Sequence, residues 1–221
     1  MIIAIDGPAG SGKSSTARAV AERLGFRHLD SGAFYRALTL SALEEGREPE
    51  SWTTLSTDDL EGFGIAARPL GDRFQLTRKG RVLGDELRGP EVNRYVSEMA
   101  RIPEIREWLL QLLRKLAEGE NVVMDGRDIG TVVFPNAELK IFLTARPEVR
   151  AARRLAEFGE QNPSEDELQA EIERLLERDR IDSEREVAPL KKADDAISVD
   201  TSDLTFTEQV EEIVRLARER S

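Results

Sequence analysis

The chain of 221 residues contains no cysteine. Disulfides and thiolate metal sites are therefore excluded. Its one histidine, His28, leaves too few imidazoles for a histidine-built metal site or a Ser-His-Asp triad. No run of 18 apolar residues occurs, which is the length a membrane helix requires. The chain opens on "MIIAIDGPAG" with no basic segment leading into a long apolar one, so a cytosolic protein is expected. Lysine is also scarce, with 6 lysines against 26 arginines among the 32 basic residues. The net charge of −11 argues against nucleic acid or an anionic membrane as a partner. Genome composition or a warm habitat could account for the arginine total, so the informative quantity is where individual arginines sit. An arginine fork grips phosphate or carboxylate bidentately.

Hydrophobic content of 39% and charged content of 34% describe a globular chain. The length fits one α/β domain with an inserted lobe better than two separate domains. Met1–Asp6 reads as a buried strand, Ser14–Leu24 as a helix, Arg27–Leu29 as a short strand and Ala33–Leu43 as a second helix. Between Gly64 and Leu83 the period changes to short antiparallel strands, with turns at Gly71-Asp72 and Lys79-Gly80. Helices follow at Pro90–Ala100 and Ile105–Leu116, then buried strands at Asn121–Asp125 and Leu139–Thr144. Pro147 starts a helix running to about Phe158, and Ser164 with Glu167 forms a capping box for the next. A last strand, Ala196–Asp200, precedes helix Thr207–Arg218. Strands alternating with helices predict an α/β fold, a parallel sheet covered on both faces, here with a small antiparallel β insert.

"GPAGSGKS", Gly7 to Ser14, satisfies G-x-x-x-x-G-K-[ST] in full, between an apolar strand and a helix. Gly7, Gly10 and Gly12 let backbone N–H groups curl around anionic oxygens, together with Pro8, Ala9 and Ser11. The helix adds its positive end. Lys13 is expected to bridge the β- and γ-phosphates, Ser14 to place its hydroxyl on Mg²⁺, and Ser15 to touch the α-phosphate. Binding of a nucleoside triphosphate follows.

A GTPase would need N-K-x-D, and the nearest string, "KKAD" from Lys191 to Asp194, lacks the asparagine. An ATPase motor would end an apolar strand in paired acids, whereas "VVMDG" supplies only Asp125. A small-molecule kinase needs a second, arginine-rich pocket, and three stretches suggest one. In "LDSGAFYRAL" a strand, a turn and a helix start bring Ser31 and Arg36 together, although an ordinary helix cap with a solvated arginine would read the same. "DGRD", Asp125 to Asp128, ends a central strand, where ligands of open parallel sheets sit. In "ERDRIDSEREVAP", Arg178, Asp182 and Arg185 share one side of a helix at i, i+4 and i+7, beside the apolar stripe Leu168, Ile172 and Leu175. A salt-bridged surface would look alike. "RPEVRAARR" offers Arg150, Arg153 and Arg154, either a solvated basic face or a mobile lid.

The phosphate loop, "LDSGAFYR", "DGRDIGTVVFP" and "ERDRIDSEREVAPL" occur in that order, and together they resemble the bacterial cytidylate kinase family of nucleoside monophosphate kinases. The similarity runs over nearly the whole chain; Ile129 and the short "FGEQNPSED" are minor departures. The resemblance implies an adenylate-kinase-like fold. Its core would be residues 1–30, 120–145 and 185–221, with an acceptor-binding lobe at about 31–115 and a lid at about 146–184. It implies Ser97, Arg106 and Asp128 as readers of cytosine. Arg36, Arg127 and Arg185 would clamp the acceptor phosphate, Arg178 and Asp182 would contact the sugar, and Ser31 and Tyr35 would line the pocket. Lys13, Arg127, Arg153 and Arg154 would act on the transferring phosphoryl group. The implied reaction takes ATP and CMP or dCMP to ADP and CDP or dCDP with Mg²⁺, in a monomer. Asp125 would hold Mg²⁺ through water or orient Arg127. Other readings left open are a kinase of another acceptor, such as UMP or shikimate, and a non-catalytic binder of nucleoside triphosphate.

Overall fold

The computed structural model describes residues 1–160 and 162–220. Gln161 of the expected lid and Ser221 of the last core segment lie outside the described residues. The backbone follows the alternation of the sequence. Strand β1 (Ile2–Asp6) leads into helix α1 (Lys13–Leu24), β2 (Arg27–Asp30) into α2 (Ser31–Glu44), and β6 (Val122–Gly126) into a single wide helical turn at Ile129–Val133. Strand β7 (Leu139–Thr144) precedes α6 (Pro147–Glu157) and α7 (Glu165–Glu184), and β8 (Ile197–Asp200) precedes α8 (Phe206–Arg218). The capping box expected at Ser164 and Glu167 starts α7. Between α2 and β6 lie α3 (Thr57–Gly62), β3 (Ile65–Leu70), β4 (Arg73–Arg78), β5 (Arg81–Val82), α4 (Pro90–Met99) and α5 (Pro103–Ala117).

The sheet runs β3-β4-β2-β6-β1-β7-β8, with β5 paired to β4. From β2 to β8 every pairing is parallel. Alternation along β1 divides the core. Ala4 packs with Leu29, Met124, Phe34 of α2 and Leu109 of α5 on one face. Ile3 and Ile5 pack with Val20 of α1 and Ile213 of α8 on the other. The parallel sheet covered on both faces is thus as expected. The insert adds a finding: it is not a detached sheet. His28 of β2 pairs in parallel with Arg73, and its N–H donates to Asp72 O at 2.7 Å, so β4 extends the main sheet. Both turns fall where expected, and Lys79 and Gly80 take the positive φ of a two-residue hairpin.

Burial brings the site to the carboxyl ends of β1, β2 and β6. Gly7 follows β1 at φ +154°, and a Cβ there would lie 2.1 Å from Leu143 O, so no other residue fits. Helix α7 packs against the phosphate loop through Leu175, which meets Ala9 and Ala151, with Leu168 and Ile172 at the margin of that cluster.

Candidate active site

One cleft is lined by Ala9, Gly10, Gly12, Lys13, Ser14 and Ser15 on the phosphate-loop side. Its other wall carries Ser31, Tyr35, Arg36, Ser97, Arg127, Asp128, Arg178, Asp182, Arg185 and Arg154. Its empty volume, mouth included, is about 1080 Å³, at the upper end of small-molecule pockets. The phosphate loop, the Ser31–Arg36 stretch and the Arg127-Asp128 turn follow the ends of β1, β2 and β6, whereas Ser97, Arg154, Arg178 and Asp182 reach the cleft from within α4, α6 and α7.

The phosphate loop is closed by its own lysine: Lys13 Nζ donates to Pro8 O at 2.8 Å. Burial, then Arg127, pulls the Lys13 ammonium well below its ordinary range. Ser14 Oγ donates to Asp125 Oδ2 at 2.5 Å, and the other oxygen of Asp125 meets His28 Nε2 at 2.7 Å. Burial would raise the Asp125 carboxyl, but the bond to His28, with Ser14 and Lys13, brings it below its usual value. The oxygens of Ser14 and, through water, Asp125 are those that would hold Mg²⁺, which would supply positive charge beside the bound phosphates.

The "DGRD" turn is shaped by close approach. A Cβ on Gly126 would stand 2.6 Å from Ser31 Oγ and from Ile129 Cδ1, and Ser31 Oγ donates to Asp125 O at 2.7 Å. Asp128 is held from two sides. Arg106 Nη2 donates to its Oδ2, and Arg185 Nη2 donates to its Oδ1 at 3.1 Å. Tyr35 lies under the Arg106 guanidinium, 5.5 Å from ring centre to Cζ, and burial pushes its hydroxyl up to about 12. Arg106 does not line the main cleft; it walls a smaller cavity behind it, which shares Tyr35 and Asp128.

Arg36 donates to Asn93 Oδ1 at 2.5 Å, which aims it from α2 toward α4. Burial, then Arg178, lowers the Arg36 guanidinium to about 9. Burial, then Arg127, lowers Arg178 to about 10, and its Nε is buried without a partner. Guanidinium groups remain protonated in proteins, so these shifts mean a burial penalty with repulsion between guanidinium groups added to it, and an anion in the cleft would offset both.

Arg185 stands differently from the expectation of a helical face. Helix α7 ends at Glu184, and Arg185 has extended backbone. Its Nε donates to Ala188 O at 2.6 Å, where the "VAPL" loop folds back with Ala188 at φ +50°. Its guanidinium therefore lies beside Asp128 and is less free than Arg36. Arg153 and Arg154 diverge, as neighbouring helical residues must at ~100° apart. Arg154 lines the cleft, whereas Arg153 Nη2 and Nη1 donate to Thr201 O at 2.8 Å and Thr201 Oγ1 at 2.9 Å. Gly7, Pro8 and Ser11 support the loop from outside the cleft lining.

Sequence reasoning passed over Asp30, Arg88 and Asp179. Asp30 caps α2 by accepting from Ala33 N at 3.0 Å, the ordinary helix cap the sequence allowed for this stretch without singling out its residue. Arg88 lines the cleft from a short turn before Pro90, with no periodicity to mark it. Asp179 Oδ1 accepts from Ala9 N at 2.8 Å, and its Oδ2 pairs with Arg150, tying α6 and α7 to the phosphate loop.

A phosphate loop facing an arginine-lined second pocket, on a parallel sheet covered by helices, defines a phosphate-loop kinase of a small acceptor. The family model for cytidylate kinase matches residues 3–219, and the chain belongs to that family. The cytidylate kinase of Fervidobacterium nodosum is 46% identical over 220 residues, covering 99% of this chain and 96% of the relative. That of Pelodictyon phaeoclathratiforme is 45% identical, covering 100% and 96%. The bifunctional pantoate ligase/cytidylate kinase of Synechococcus sp. strain WH7803 is 43% identical, with 99% of this chain matching 45% of its length. Among solved structures, an uncharacterized protein from Eubacterium ventriosum has a TM-score of 0.54 at 14% identity, covering 100% of this chain and 99% of its own, a likeness of fold. No helix among the described residues is long and apolar enough to cross a membrane.

Proposed function

We propose that this enzyme moves the γ-phosphoryl group of ATP to the 5′-phosphate of CMP or dCMP, giving ADP and CDP or dCDP. The observation that carries this reading is Asp128, a buried carboxylate fixed between Arg106 and Arg185 in the cleft that also contains the phosphate loop. Cytosine presents an amino donor at C4 beside acceptors at N3 and O2. Asp128 and Ser97 accept from the amino group, and Arg106, which walls the cavity adjoining the cleft at Tyr35 and Asp128, donates to N3 and O2 where the base reaches past Asp128. Uracil turns a carbonyl toward the carboxylate and is disfavoured.

The acceptor is already an anion, so no general base is required. Catalysis is positioning plus charge neutralisation. Lys13 holds the donor's terminal phosphates. Arg36 and Arg127, with Arg185 behind them, offset repulsion between donor and acceptor. Arg178 and Asp182 receive the sugar. Mg²⁺ at Ser14 and Asp125 supplies charge neutralisation on the β- and γ-phosphates when bound. Residues 146–184 act as a lid that brings Arg154 over the transferring group and excludes water. Arg153 would join it only by leaving Thr201. The enzyme works as a monomer in the cytosol.

The test is coupled ADP release with a panel of acceptors. CMP and dCMP are expected to turn over well ahead of UMP, AMP and shikimate. Strong turnover of UMP or AMP with none of CMP overturns the reading.

A further inference from the structure

Asp6 is the last residue of β1, immediately before the phosphate loop, and it is 4% exposed. Nothing in the transfer chemistry uses it. Its Oδ1 accepts from Ile129 N and its Oδ2 from Gly130 N, each at 2.7 Å. These are the first two amides after Asp128. The Asp128 carbonyl itself accepts from Val132 N and Val133 N, at 2.9 and 3.1 Å, and so begins the wide turn. The fit is close: a Cβ on Gly130 would stand 3.3 Å from Asp6 Oδ2 and 3.2 Å from Lys140 Cδ.

We infer that Asp6 is a positioning residue for the acceptor base, its carboxylate clamping the turn that presents Asp128, so that β1 sets the base-reading geometry as well as the phosphate loop. This rests on the reading of Asp128 given above. Only an ionised carboxylate offers an acceptor to both amides at once. A protonated carboxyl turns a hydroxyl toward one of them. Burial pushes the Asp6 carboxyl up to about 6, against the pull of those two amides; Asp128 adds to the rise and Lys13 opposes it. Lys140 of β7, engaged with Pro135 O and Asp195, and Arg114 of α5, which donates to Val132 O and Val133 O, also stand beside this turn. The clamp is therefore complete at neutral pH and half released in mild acid.

The test uses the full chain and Asp6→Asn, which is isosteric but turns an NH₂ group toward one amide. Above neutral pH, KM for CMP is expected to rise about tenfold, the worth of one charge-assisted hydrogen bond. KM for ATP should stay within about twofold. The phosphate of CMP also titrates near pH 6, but in both proteins, so the ratio of mutant to wild-type KM isolates Asp6. That ratio is expected to fall toward one below about pH 6. The wild type alone supplies a second measurement should the variant fail to fold: the amide protons of Ile129 and Gly130 should titrate together with a midpoint near pH 6. Equal losses for ATP and CMP, a ratio independent of pH, or flat amide shifts overturn the inference. Absence of CMP turnover in the wild type would instead refute the functional reading, and the amide titration would still report on the clamp.

Discussion

Arg127 Nε donates to Asp182 Oδ2 at 2.8 Å, joining the turn after β6 to α7. Asp182 also lies 4.0 Å from Arg185 Nη1. Burial would raise its carboxyl, but Arg127, Arg178 and Arg185 outweigh burial and hold it below the ordinary carboxylate range. One carboxylate is thus set among three guanidinium groups, and Arg36 and Lys13 line the same cleft. The cleft carries more positive charge than its own acids neutralise.

Replacing Asp182 by alanine removes the carboxylate and leaves buried Arg185 and half-buried Arg127 and Arg178 without it. The unliganded protein should lose about 3 kcal/mol of stability, the cost of breaking a buried ion pair from one side. Denaturant melts measure it. Inorganic phosphate should restore part of the loss and raise the midpoint more in the variant than in the wild type. Equal midpoints with and without phosphate would show that the guanidinium groups do not form an anion site.

Lys13 has burial and Arg127 against its charge, and phosphate oxygens would reverse that penalty. Lys13→Ala should therefore lower kcat by about 10²- to 10³-fold, the usual effect of removing one charge-stabilising donor. Affinity for CMP should be unchanged, because Lys13 lies on the donor side. Single-turnover kinetics and CMP titration separate the two. Loss of CMP affinity would place Lys13 on the acceptor instead.

Most of this fold was legible because two periods and one loop carried it. β1, β6 and β7 are apolar runs ending at glycine or polar residues, and "GPAGSGKS" could only follow a strand. The register of the insert was not legible. Strand β4 reaches β2 at the single pair His28 and Arg73, a tertiary contact with no local signature. The wide turn at Ile129–Val133 was missed for a similar reason, since it depends on a carboxylate some 120 residues earlier in the chain, Asp6, taking its amides. Side-chain spacing placed Arg178 and Asp182 together on α7. It could not foresee that the helix stops before Arg185, or that Arg153 turns to Thr201 while Arg154 faces the cleft.

Asp6 also gives the stability a pH dependence of definite sign. Its folded-state value of about 6 lies above the ordinary 3.8, so the folded protein holds this proton more tightly than the unfolded chain. The contribution is fully favourable below about pH 4 and is lost as pH rises through about 6. By linkage the change amounts to at most about 3 kcal/mol. The difference in unfolding free energy between Asp6→Asn and wild type should therefore move toward the variant by up to that amount from pH 4 to pH 7. Urea melts at several pH values would show it, and parallel profiles for the two proteins would rule it out.

Asp128 is where substrate choice should be most sensitive. Asp128→Asn keeps the shape but replaces one oxygen, facing either Arg106 or Arg185, by an NH₂ group. Two guanidinium groups then share one acceptor, and the cytosine amino group meets a weaker partner. Loss of a buried charged hydrogen bond costs about 2–3 kcal/mol, so kcat/KM for CMP should fall by about 10²-fold. The new amide can rotate to donate to the C4 carbonyl of uracil, so UMP turnover should fall less or rise. The ratio of CMP to UMP specificity is therefore expected to shrink by at least about tenfold, while KM for ATP stays within about twofold. Steady-state assays with both acceptors at saturating ATP measure this ratio. A uniform loss for the two pyrimidines would mean that Asp128 supports the turn without reading the base.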